Sequence, residues 1–136
     1  MTSFSFAGRV VSAAAALACL TAPVAASAAS ERFALEYRVE RTASAKLGIG
    51  QCLDVAKRES AAIGYVPALE NRYPGQLATF ASGPRQGGAS LIVYCIAVDQ
   101  KTAFVVQAID YNRPNSPQSK RIADRVHGAL LAAARR

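Results

Sequence analysis

Cys52 and Cys95 carry the most definite chemistry in this chain. In an oxidising compartment, two thiols in a small domain pair more readily than they stay free. Paired, they close a long loop, which the chain-entropy model values at roughly 3–4 kcal/mol. The competing readings are two buried thiols or a metal pair. A metal wants further ligands, and the single His127 with the scattered carboxylates makes no recognisable set. His127 lies beside Val126 at the border of an apolar stripe, and no serine or cysteine motif accompanies it as nucleophilic catalysis requires. It reads as structural, and no metal or cofactor is expected.

Paired carboxylates can act as acid and base in glycan cleavage. Glu36 and Glu40 alternate with Arg38 and read as a solvated charge ladder on the wet side of a strand. Asp110 stands out because it ends an otherwise apolar run. Asn112 and Arg113 beside it suggest a capped turn, and nothing fixes a second carboxylate at a productive distance. Gly48-Ile49-Gly50 resembles the opening of a dinucleotide fingerprint, but Leu53 occupies the third glycine position and the chain is too short for a doubly wound sheet. Lys120, Arg121 and Arg125 share the polar side of the last helical stretch and are candidates for contact with an anionic envelope component. The simpler reading is a solvated helix face. Nucleic acid is not expected, since no basic motif is interleaved with aromatics.

These side chains need elements to position them. Residues 1–28 read as a cleaved secretory signal peptide: Arg9, an apolar run from Val10 to Leu20, Pro23, then the small residues Ala26-Ser27-Ala28. Cys19 falls inside this segment, and the apolar run is about half of what a spanning helix needs, so no transmembrane anchor remains after processing. Residues 29–136 form one small domain. Losing Arg9 takes the 16 basic residues to 15 against 9 acidic ones, a net +6.

Phe33, Leu35, Tyr37 and Val39 alternate with polar residues, which predicts a strand with a buried apolar face and a wet polar face. Ile49, Cys52, Leu53, Ala56 and Ile63 recur at helical spacing, with Thr42 or Ser44 as the cap and Gly64 as the stop. Tyr65 to Gly75, with Pro67 and Pro74, reads as an irregular connection. Leu77–Ser82, Ala89–Val98 and Ala103–Tyr111 are strands, the last two joined by a tight turn at Asp99–Thr102. Ser116 and Pro117 open a final helix with Ile122, Ala123, Val126, Leu130 and Ala133 as its stripe. The order β-α-β-β-β-α gives an α+β two-layer domain, an antiparallel four-stranded sheet with two helices on one face.

The runs Phe33-Ala34-Leu35-Glu36-Tyr37-Arg38-Val39-Glu40-Arg41, Gln51-Cys52 and Tyr94-Cys95-Ile96-Ala97-Val98 resemble small exported proteobacterial proteins classed as a family of unknown function. The resemblance spans nearly all of the chain beyond the signal. It implies a periplasmic setting and carries no activity, cofactor or catalytic residue with it.

Alternation leads to the remaining expectation. If Cys95 points to the helices, then Leu91, Val93, Phe104, Val106 and Ala108 do too. Ile92, Tyr94, Ile96, Ile109 and Tyr111 then lie on the other face, which no helix is left to cover. Either that face is a partner or self-association surface, or the Tyr65–Gly75 segment folds over it. The expected function is accordingly a periplasmic or secreted binding module, not an enzyme, engaging an unknown protein partner or itself as a homodimer. The alternatives are a small exported enzyme or enzyme inhibitor acting through the Asp110–Arg113 loop, and an envelope-surface binder acting through the basic helix.

Overall fold

The computed structural model describes residues 32–136; the signal-peptide segment lies outside the described residues. Seven elements follow in order: β1 (Ala34–Ala43), α1 (Ile49–Ala62), β2 (Val66–Tyr73), β3 (Leu77–Gly83), β4 (Ser90–Val98), β5 (Lys101–Asp110) and α2 (Pro117–Ala134). The strands form one antiparallel sheet in the order β1-β5-β4-β3-β2. The α+β class and the two layers are as expected from the sequence. The sheet has five strands rather than four.

The additional strand is β2, in the stretch expected to be irregular. Proline cannot donate to a ladder, which argues against a central strand but not against an edge. Pro67 sits at the outer edge of the sheet, where the register with β3 shifts between Pro67 and Leu69. Pro74 and Gly75 make the turn into β3, with Gly75 in the left-handed region at φ 70°. The Tyr65–Gly75 segment therefore extends the sheet sideways and does not fold over its outer face.

Both helices pack on the same side. α1 lies across β2, β3 and β4, and α2 lies across β1, β5 and β4. Between them and the sheet is the core: Leu53, Val55 and Ala56 of α1, Ile122, Ala123, Val126 and Leu130 of α2, and Phe80, Leu91, Val93, Phe104, Val106 and Ala108 of the strands. The turn of the β4–β5 hairpin is Asp99-Gln100, since Val98 faces Lys101. This is the two-residue loop that makes Phe104, Val106 and Ala108 inward. Cys52 and Cys95 are bonded across the two layers, with Cα atoms 6.1 Å apart and both side chains fully buried.

The caps differ in part from expectation. β1 continues to Ala43, so neither Thr42 nor Ser44 caps α1; Gly48 stands at that position without a side-chain hydrogen bond. The Ser44 hydroxyl donates instead to the Gln100 carbonyl at 3.1 Å, tying the end of β1 to the β4–β5 turn. At the other end Gly64 does terminate α1. It adopts φ 75°, and the Gly64 and Tyr65 N–H groups donate back to the Ala61 and Ser60 carbonyls. Ser116 and Pro117 begin α2 as expected, although the Ser116 side chain makes no capping hydrogen bond.

Candidate functional site

The register of the sheet sorts every strand residue onto one of two faces. On the face away from the helices, Tyr37, Gln107, Ile92, Ala81 and Leu69 lie in one row from β1 to β2. The next row is Val39, Val105, Tyr94, Thr79 and Asn71. A third is Arg41, Ala103, Ile96, Leu77 and Tyr73; Ala43, Lys101 and Val98 form the rim beyond it, and Leu35, Ile109 and Ser90 complete the opposite end. Most of these side chains are apolar, and no described element lies over them.

Of the residues singled out from the sequence, Ile92, Tyr94, Ile96 and Ile109 all fall on this face. They are half-buried by their neighbours in the sheet rather than by a covering layer. Tyr111 lies one residue beyond β5 and is exposed. Sequence reasoning missed the contribution of β1. Its alternation is real but its faces are the reverse of those expected: Leu35, Tyr37 and Val39 are 46%, 61% and 57% exposed on the outer face. Glu36 and Arg38 point to the helix side, where Arg38 donates to Asp124 of α2 at 2.7 Å and to Glu36 at 3.0 Å. The polar flank of α2, not its apolar stripe, reaches β1, so the charged side of the strand is the one that is covered. Leu69 and Tyr73 of β2 extend the apolar face at the opposite edge and were hidden in a segment that read as a loop.

The other candidates are not brought together. Asp110 is buried at the end of β5, and its Oδ1 accepts the Asn112 N–H at 3.0 Å. That bond outweighs desolvation and holds the carboxyl below the ordinary aspartate range, with help from Ser116 and Arg113. Through this bond the carboxyl holds the backbone of the turn leading into α2. The ring centroid of His127 is 5.9 Å from that of Phe104. Among the described residues no group of three or more His, Cys, Asp or Glu could hold a metal. In the basic trio, Lys120 is paired with Asp124, and Arg125 with Glu59 at 3.1 Å, while Arg121 lies at the surface. A cleft of about 640 Å³ opens between the start of β1 and the start of α2. Its charged side chains, Glu36 and Lys120, are both committed to ion pairs.

These ion pairs and the Asn112–Asp110 hydrogen bond have a consequence for stability. Lys57 and Arg72 lower the Glu70 carboxyl from its ordinary 4.5, and Lys120 and Arg38 lower that of Asp124 from 3.8, as Asn112 does for Asp110. The native state therefore holds fewer protons than the unfolded chain at mildly acid pH. The stabilisation is fully present above the ordinary values and is lost as pH falls through the lowered native ones. Urea midpoints should stay level from neutral pH down to about pH 5 and fall steadily below it. Asp110→Asn should make that acid limb shallower; an acid limb unchanged by the substitution would remove Asp110 from the account.

The model of a family described as a family of unknown function (DUF6180) matches residues 32–135, the whole of the sheet and both helices. No curated protein matches the chain. A solved structure described as "Crystal structure of Ara h 8.0201" is similar over 74% of this chain and 96% of that one, at 13% identity and a TM-score of 0.36. A likeness so loose carries no argument. Among the described residues no helix is long and apolar enough to cross a membrane.

Proposed function

The chain belongs to a family of unknown function and inherits no activity from it, so we propose a function from its geometry and sequence. The domain is an exported, non-enzymatic interaction module, periplasmic or secreted, that works through its outer sheet face. The observation that carries this is the apolar outer face of a five-stranded sheet whose two helices both lie on the other side. A monomer seldom leaves a contiguous apolar patch beyond about 300–600 Å² exposed without a use for it. Tyr37, Tyr73 and Tyr94 suit such a role, since tyrosine offers a large apolar body with a polar tip that tolerates water between encounters. The export reading is supported by the buried Cys52–Cys95 bond, which forms and persists in an oxidising compartment. It also rests on the signal-like N-terminal run and on the resemblance to exported proteobacterial proteins.

The double substitution Tyr94→Ser with Ile96→Ser tests the proposal. Circular dichroism and the urea midpoint should remain close to those of the parent, while association seen by sedimentation or pull-down declines. If the double variant unfolds, the two side chains belong to a core and the surface is not an interface.

A further inference from the structure

We infer that the occupant of the outer face is a second copy of this chain, packed sheet against sheet. The inference rests on the interaction reading above and names its partner. Size is the first reason. Five strands about 4.8 Å apart and four rows of alternate residues make a face of about 24 by 27 Å, on the order of 600 Å². Covering it on two copies removes about 1,200 Å² from water, which enters the range of specific dimers and exceeds most incidental contacts. An extended peptide could cover only a strip of it.

Charge is the second reason. The chain carries a net +7, yet on the outer face of the strands the only charged side chains are Arg41 and, at the rim, Lys101. A partner chosen by electrostatic attraction would be drawn to the helix side. What the outer face offers is apolar surface, and a surface of that kind is complementary to itself.

Symmetry gives the arrangement. Two sheets stack about 10 Å apart with their strands within about 30° of alignment. A twofold axis through the middle of the face falls on the central strand β4, at Tyr94. An axis running along the strands lays β1 of one copy over β2 of the other and brings Arg41 onto the partner copy's Tyr73, in the same row. Guanidinium groups are well received by aromatic faces. An axis running across the strands would instead set Lys101 on the partner copy's apolar Ile109, whereas the first leaves Lys101 beyond the end of the partner copy's β3, so the first arrangement is the one adopted.

In an isologous dimer a residue beside the axis meets its own copy. The test combines engineered cysteines with sedimentation equilibrium on the full protein. Ile92→Cys should form a disulfide-linked dimer under mild oxidation, and Leu35→Cys, at the rim, should not. The parent should show a monomer–dimer equilibrium. Tyr94→Asp should weaken it on the order of 100-fold by placing a charge in the apolar centre, and Arg41→Ala by several-fold. A dimer that survives Tyr94→Asp, or that cross-links through Leu35→Cys and not Ile92→Cys, overturns the arrangement. A parent that stays monomeric yet binds a hydrophobic dye on a face abolished by Tyr94→Asp overturns the second copy and leaves the interaction reading standing. Unfolding of Tyr94→Asp removes both.

Discussion

Replacing Cys52 and Cys95 together by alanine is expected to lower the unfolding free energy by about 4 kcal/mol. The bond spans 43 residues of sequence and joins α1 to β4 across the core. Releasing that loop returns its closure entropy to the unfolded chain, which is where most of the effect arises in the chain-entropy model. Alanine is the appropriate substitute because both sulfurs are fully buried and serine would introduce unpaired hydroxyls. Against the 5–15 kcal/mol that typically separates folded from unfolded domains, such a loss is a large share of the total. Urea denaturation of the two proteins measures it. The native bond should also resist dithiothreitol until the domain opens, since no sulfur is accessible. A difference below about 1 kcal/mol would mean that the staple is incidental to the fold.

The second large effect separates the two faces of one strand. Phe104 and Val105 are neighbours on β5, the first fully buried against the helices, the second on the outer face. Phe104 lies opposite Cys95 and near the ring of His127, so truncation opens a cavity that several elements would have to collapse to fill. Phe104→Ala should cost about 3–5 kcal/mol. Val105→Ala, measured at a concentration where the protein is monomeric, should cost well under about 1.5 kcal/mol, because most of its surroundings are solvent and flanking side chains. Comparable losses at the two positions would show that the outer face is as enclosed as the inner one.

Much of this organisation is legible in the sequence, and the failures have physical causes. The β4–β5 hairpin was readable because a tight polar turn sets the register, and with it the face of Phe104, Val106 and Ala108. The cysteine pair was readable because one falls on an apolar helical stripe and the other in the middle of the strongest strand. β1 shows the limit of alternation: the period of two separates Leu35, Tyr37 and Val39 from Glu36 and Arg38, but says nothing about which set meets a helix. That depends on where α2 ends up, and α2 meets β1 with Asp124, which pairs with Arg38. β2 is not legible locally because Pro67 and Pro74 read as breakers, whereas an edge strand accepts one and a turn uses the other. Ser44 as a cap failed because it is tied to the neighbouring hairpin, a contact between residues 44 and 100 that no local pattern contains. The same nonlocality hides part of the outer face: its central residues are legible in the sequence, but one apolar edge reads as the buried side of the first strand and the other as a loop.

The five tyrosines provide the most direct test of the claim that a second copy of the chain sits on this face. Tyr37, Tyr73 and Tyr94 lie on it, Tyr111 is exposed beyond β5, and Tyr65 is buried with its hydroxyl donating to the Ala89 carbonyl at 2.6 Å. Hydroxyl-radical footprinting of the purified protein over a series of concentrations reads all five at once. In dilute solution Tyr37, Tyr73 and Tyr94 should react and Tyr65 should not; as the concentration rises, those three should become protected together while Tyr65 stays silent. Reactivity of Tyr37, Tyr73 and Tyr94 that is already absent in the most dilute sample, or that never changes with concentration, would contradict the account.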